Sequence, residues 1–233
     1  MQALQAHNLT KKYGEHTALS NLNLSIGKGE IFCLLGQNGA GKTTTINLFL
    51  GFTDASSGEA KINDVTVKPN DTATKKFVAY IPEVVQLYGN LSGVENLDFF
   101  SCLAGFNYNK EALSGFLSKA GLQTEAHNKR LSTFSKGMRQ KVGIAIALAK
   151  NADVILMDEP TSGLDPKATA EFTIICKELA ADGKTIFMAT HDIFNAVNVG
   201  TRIGIMKKGE LVHTLNTSDI TANALQQLYL ETI

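Results

Sequence analysis

The chain has no excess of either charge. Its 233 residues carry 22 Lys and Arg against 22 Asp and Glu, a formal net charge of zero. A basic footprint for nucleic acid and an acidic solvating tail are both absent, so no nucleic-acid partner is expected. The lysine pairs Lys11-Lys12, Lys75-Lys76 and Lys207-Lys208 have no interleaved aromatics and read as solvated faces. Cysteine is scarce: Cys33, Cys102 and Cys176 form no C-x-x-C pair, and no histidine is spaced to complete a zinc site. They are expected to be buried structural thiols in a reducing compartment. Long apolar runs are missing too. The stretches 144–149 and 154–157 fall well short of the roughly 20 residues that span a bilayer, and no apolar segment follows a basic one at the amino terminus. A cytosolic chain is expected, one that would act at a membrane only through a second protein.

What is present is ample core material, 44% apolar residues, with strand-like runs alternating with helical ones, the pattern of an α/β domain with a mainly parallel sheet. Leu22, Leu24 and Ile26 alternate with polar residues and predict a half-exposed strand. The compact apolar runs 31–35, 77–81, 154–157 and 185–189 predict buried strands. From about residue 87 to 152 the text turns helical, with Ser92 and Glu95 placed as a capping box and Asn109 and Ser135 as further N-caps. This predicts a helical subdomain, 87–152, inserted in a core built from 1–86 and 153–233. No fixed-period repeat or Pro-rich linker interrupts the single domain, 1–233.

The sharpest local signal is Gly36-Gln-Asn-Gly-Ala-Gly-Lys42-Thr43, which matches G-x-x-x-x-G-K-[ST] between a predicted strand and a helix. Glycines let successive N–H groups curl inward, the helix N-terminus adds partial positive charge, and the lysine reaches the β- and γ-phosphates. The nucleotide-binding candidates are therefore Gly36, Gln37, Asn38, Gly39, Ala40, Gly41, Lys42, Thr43 and Thr44. Thr43 would hold Mg²⁺ through its hydroxyl. Asp158 and Glu159 end a buried strand, where carboxylates need a cationic partner. Mg²⁺ on a triphosphate supplies one, with Asp158 holding the metal and Glu159 polarising the attacking water.

These motifs, with those that follow, resemble the nucleotide-binding subunits of ATP-binding cassette (ABC) transporters over essentially the whole chain. Phe134-Ser-Lys-Gly-Met-Arg-Gln140 resembles the signature motif, Ser162-Gly-Leu-Asp165 the D-loop and Thr190-His191-Asp192 the switch histidine. The resemblance implies a P-loop NTPase core of RecA-like type with an antiparallel β subdomain. It implies that Tyr13 stacks on adenine and that His191 joins Lys42 and Glu159 in catalysis. It also implies that Ser135, Lys136, Gly137, Met138 and Asp165 contact ATP held by a second copy of the chain. By themselves, Ser135 and Asp165 read as N-caps, His191 as a structural histidine and Tyr13 as an exposed aromatic; the resemblance is what turns them into site residues.

Two departures stand out. Glu83 follows Pro82 where the family usually has glutamine, a metal ligand, and Lys136 and Met138 stand where glycine and glutamine are usual. The Pro-Glu pair and the F-S-K-G-M-R-Q signature resemble a bacterial branch whose permeases are mostly exporters. Residues from Thr214 onward look like a brief tail. The implied function is an ATPase that uses ATP and Mg²⁺, dimerises head to tail, and powers a separate integral membrane permease from the cytoplasmic face of the membrane. A soluble repair or ribosomal ABC-type ATPase is the alternative. It is disfavoured because no sustained heptads separate Lys42 from Ser135 and only one phosphate loop is present.

Overall fold

The computed structural model describes residues 2–233. Strands β1 (Gln2–Tyr13), β2 (His16–Gly27) and β3 (Ile31–Gly36) precede helix α1 (Lys42–Phe49). Then β4 (Ser57–Ile62), β5 (Val65–Thr66) and β6 (Val78–Ile81) lead into α2 (Gly93–Leu103), α3 (Lys110–Lys119) and α4 (Lys136–Ala149). The chain closes with β7 (Val154–Asp158), α5 (Pro166–Ala181), β8 (Thr185–Thr190), α6 (Ile193–Val199), β9 (Arg202–Lys207), β10 (Glu210–Asn216) and α7 (Ala222–Thr232). A six-stranded sheet has the order β10-β9-β3-β8-β7-β6, with β10 antiparallel to β9 and the other pairs parallel. A second, antiparallel sheet has the order β2-β1-β4-β5.

The large sheet is covered on both faces, which is why its strands read as unbroken apolar runs. Successive side chains of a strand point to opposite faces. Ile31, Cys33 and Leu35 of β3 accordingly enter one core with α2–α6, while Phe32 and Leu34 enter another beneath the antiparallel sheet and α1. In β8, Ile186 and Met188 divide from Phe187 and Ala189 in the same way. Phe187 anchors the second core: its ring stacks on Phe32 at 5.9 Å and 10° and meets Phe49 edge-on at 5.9 Å and 60°. In β2 the alternation predicted for Leu22, Leu24 and Ile26 is present, all three buried between exposed Asn23 and Ser25.

Between β6 and β7 the chain is helical, and its helices begin where side chains satisfy their free amides. Ser92 accepts from the Glu95 amide at 3.2 Å while the Glu95 carboxylate accepts from the Ser92 amide at 2.7 Å, a complete capping box. Asn109 caps α3 and Ser135 caps α4. The expectation of three buried thiols holds for Cys33 and Cys176, where burial pushes the Cys33 thiol up to about 12 and Cys176 higher still. It fails for Cys102, which is exposed near the end of α2 beside Asp98 and Asn107, because that turn faces outward. The brief segment after Thr214 packs back on the core, where α7 buries Leu225 and Tyr229.

Phe187→Ala removes the ring shared by Phe32 and Phe49 and should cost about 3–5 kcal/mol of unfolding free energy. Urea titration would show a lower midpoint with an unchanged slope; a loss below about 1 kcal/mol would mean the site collapses around the cavity.

Candidate functional site at the carboxyl edge of the sheet

Strand β3 ends at Gly36 and α1 begins at Lys42, so the intervening loop must reverse within five residues. It does so around Gly41, whose φ of 108° belongs to the left-handed region; a Cβ there would lie 2.7 Å from the Ala18 carbonyl oxygen. At Gly36 a Cβ would lie 2.8 Å from the Met206 carbonyl oxygen, so β9 closes on the loop only because that side chain is missing. The first bond of α1 runs from the Thr45 amide to the Gly41 carbonyl at 2.9 Å, which leaves the amides of Lys42, Thr43 and Thr44 without helical acceptors. Three free N–H groups at the positive end of a helix make an anion cradle.

Lys42 is only 6% exposed. Its ammonium donates to the carbonyls of Gly36 at 2.7 Å and Gln37 at 3.3 Å and lies 3.6 Å from Glu159 Oε1. Glu159 follows β7 with φ at 45°, a conformation that costs a non-glycine residue ~1–3 kcal/mol. That backbone is fixed by its amide donating to Ala189 O at 2.8 Å. His191, just past β8, holds the other carboxylate oxygen: Nδ1 is 2.8 Å and its backbone N–H 3.2 Å from Glu159 Oε2. The Thr43 hydroxyl donates to Asp158 Oδ2 at 3.0 Å. Burial drives the Asp158 carboxyl above the usual carboxylate range and the Thr43 hydroxyl opposes this; the charges of Glu159 and Glu83 add to the rise while Lys42 offsets it.

Lys42, Thr43, Asp158 and Glu159 line one cleft of about 410 Å³, together with Tyr13, Gln37, Asn38, Gly39, Gly41, Thr44 and Glu83; His191 is tied to it through Glu159. Of the loop candidates outside that lining, Gly36 faces Lys42 through its carbonyl, and Ala40 is buried with its carbonyl bonded to Gly209. Tyr13 is half exposed at the rim, with the Lys11 ammonium 4.8 Å from its ring centre. His16 and Ala18 also line the cleft, and no motif marks them. No motif marks Tyr229 of α7 either, whose phenol is pushed up by burial and then by the Glu159 charge.

Glu83 is about half exposed and accepts from the Ser162 hydroxyl at 3.0 Å. The remaining candidates are not brought to this cleft. Ser135, Gly137, Met138 and Asp165 line a separate cavity of about 240 Å³, and Lys136 opens α4 beside it. Ser135 bonds the Met138 amide, and Asp165 bonds the Ala168 amide with Pro166 at the first helical position.

A parallel sheet with a glycine loop, a buried lysine and paired carboxylates at its carboxyl edge defines a phosphate-loop nucleotide-hydrolysing protein. Residues 19–162 match the family described as ABC transporter. The chain is 35% identical over 218 residues to the bacitracin transport ATP-binding protein BcrA of Enterococcus faecalis, spanning 93% of this chain and 70% of that one. It is 32% identical over 219 residues to the linearmycin resistance ATP-binding protein LnrL of Bacillus subtilis, with the same coverage. Among solved structures, a dimeric post-hydrolysis state of the ATP-binding cassette MJ0796 with ADP and Pi superposes with a TM-score of 0.80 at 30% identity, covering 92% of this chain and 98% of that one. The ATP-binding subunit of an ABC transporter superposes at 0.85 with 28% identity, covering 98% of each. The chain belongs to the ABC transporter family and is an ATP-binding, ATP-hydrolysing cassette of it.

The raised Asp158 carboxyl carries a stability consequence in the nucleotide-free protein. Because the native state disfavours the ionised form, Asp158 destabilises the fold above its raised native pKa, and this penalty fades as pH falls from there toward the ordinary aspartate value of about 3.9, below which it is gone. Asp158→Asn should therefore melt above the wild type at pH 7 and coincide with it at the acid end. A lower melting temperature for the variant at pH 7 would contradict this.

Proposed function

We propose that this cassette powers a separate integral membrane permease, most of all for export, by closing head to tail with a second copy of itself around ATP. The observation that carries the reading is the separation within one chain of two phosphate-suited features. The glycine loop lies in one cleft and the capped start of α4 borders another cavity, so a second copy is needed to bring both to one nucleotide. The dimeric cassette MJ0796 supports that assembly, and the transport and resistance names of BcrA and LnrL support the export direction. Among the described residues no helix is long and apolar enough to cross a membrane. A peripheral position at the cytoplasmic face therefore suits the chain, with 87–152 as the helical subdomain that meets the permease and 1–86 with 153–233 as the nucleotide-binding core.

Within the cleft, Lys42 and the first amides of α1 hold the β- and γ-phosphates, and Tyr13 stacks on the base. Thr43 Oγ1 and Asp158 Oδ2 are hard oxygen donors 3.0 Å apart, a set that fits Mg²⁺, with Glu83 nearby as an outer contact. When bound, Mg²⁺ supplies charge neutralisation on the phosphate oxygens. Glu159 orients and deprotonates the water whose oxygen attacks the γ-phosphorus as the bond to the ADP oxygen breaks, and His191 keeps that carboxylate in position. Ser135, Gly137, Met138 and Asp165, with Lys136 through its backbone at the start of α4, meet the nucleotide of the partner copy. Loss of the γ-phosphate then removes the grip shared by both chains and favours opening.

Lys42→Ala should abolish tight ATP binding, whereas Glu159→Gln should keep it and slow phosphate release by roughly 10²–10⁴-fold. Wild-type turnover in Glu159→Gln would move the general base elsewhere.

Sedimentation of Glu159→Gln should show a dimer with MgATP and a monomer without it, and adding Ser135→Arg should block the dimer by crowding the partner's γ-phosphate. Hydrolysis independent of protein concentration in a strictly monomeric protein would defeat the shared-site reading.

A further inference from the structure

Three segments far apart in the chain meet at one carboxylate oxygen. Glu83 Oε1 accepts from the Ser162 hydroxyl at 3.0 Å, and Lys136 Nζ lies 4.0 Å away. The same ammonium passes Gly163, where a Cβ would lie 3.8 Å from it. Beneath, buried Gln140 of α4 donates to the carbonyls of Glu83 at 3.4 Å and Pro82 at 3.5 Å. The loop after β6, the start of α4 and the loop after β7 are thereby joined by both side-chain and backbone contacts.

Charge explains why this junction needs a cation. Glu83, Asp158 and Glu159 all line the cleft, while Lys42 is the lysine that faces them from the phosphate loop. Lys136 brings a second positive charge to the rim from α4, a helix otherwise engaged with a different cavity. We infer that Lys136 is a positioning residue that neutralises Glu83 within the same chain, locks the loop after β6 to α4 and to Ser162, and sets how strongly Glu83 draws Mg²⁺. The inference deepens the proposed site, resting on the metal's placement beside Asp158.

The junction makes two predictions that an inert surface pair does not. First, the residues should act as a unit. In hydrogen exchange without nucleotide, Glu83→Gln and Lys136→Met should each speed exchange of the amides at 83–87 and 161–163 roughly threefold, the size an exposed pair supplies. The double variant should match the singles rather than multiply them. Lys136→Arg should retain protection, and the exchange Glu83→Lys with Lys136→Glu should restore it. Second, the two charges should move metal affinity in opposite directions. Calorimetric titration of Mg²⁺ into the ADP-loaded protein should show roughly threefold tighter binding in Lys136→Met, where the carboxylate is freed, and weaker binding in Glu83→Gln. Multiplicative exchange effects, no rescue by the charge swap, or metal shifts of the same sign would overturn the inference. Asp158→Asn separates it from the reading beneath. Unchanged Mg²⁺ affinity in that variant would overturn the metal placement and the metal part of the inference together, while the nucleotide-free exchange result would still decide the junction.

Discussion

The site is organised around one buried ammonium. A cation taken out of water is tolerable only with polar partners, and Lys42 finds two carbonyls at the end of β3 and the carboxylate of Glu159. Those partners come from different strands, so the lysine ties the loop after β3 to the end of β7. His191 extends the tie to β8 through the second Glu159 oxygen. Three adjacent parallel strands thus converge on one charge network at their carboxyl edge, where the loops leave the sheet. On the proposed mechanism, phosphate oxygens replace Glu159 as the partner of Lys42. The carboxylate is then released toward water while His191 still fixes its orientation. One contact accordingly serves as counter-ion before binding and as a pre-set geometry afterwards.

The covered sheet is what makes this network rigid. Because β3, β7 and β8 bury both faces, their carboxyl ends are held by two cores rather than one. The φ of 45° at Glu159 would relax if the strand could shift, but its amide is bonded to Ala189 of the neighbouring strand. Strain at the functional residue is sustained by packing several residues away.

Much of this was legible in the sequence, for a physical reason. Buried parallel strands are continuous apolar runs, N-caps are specific side chains at fixed offsets, and a phosphate loop needs glycines where backbone crowds backbone. Of the strands not predicted, β1 and β10 break one of these rules, whereas β9 does not: its buried Ile203, Ile205 and Met206 form a short apolar run interrupted only by Gly204. In β1, buried Ala3, Leu4, Ala6 and Leu9 are spaced irregularly because bulges interrupt pairing with β2, so no period of two survives. β10 alternates only between exposed and half-buried positions, the weak pattern of an antiparallel edge. Cys102 departs from the buried expectation because composition says what a cysteine prefers and not which face of α2 it occupies. His16 and Ala18 enter the cleft through the β1–β2 hairpin, and Tyr229 of α7 feels the Glu159 charge. These placements come from tertiary packing alone, without a local residue pattern.

The two departures from the family pattern show a different limit of reading position by position. Taken singly, Glu83 adds an unwelcome negative charge to a cleft that already holds Asp158 and Glu159, and Lys136 adds a bulky cation where glycine is usual. The fold brings them within 4.0 Å of each other and supplies Ser162 to the same oxygen. The pair's net charge is zero, the same as the neutral glutamine and glycine it stands in for, so at long range the cleft differs little from one without either group. At short range it differs in kind: a contact between the loop after β6 and the start of α4 has been made electrostatic, and it answers to other charges nearby. On the inferred role of Lys136, a metal or phosphate entering the cleft would compete for one member of the pair and so act on the helix that carries the other. On that inference the substitution pattern puts a charge-sensitive link between the nucleotide cleft and α4, where a neutral pair would leave that link to hydrogen bonds alone.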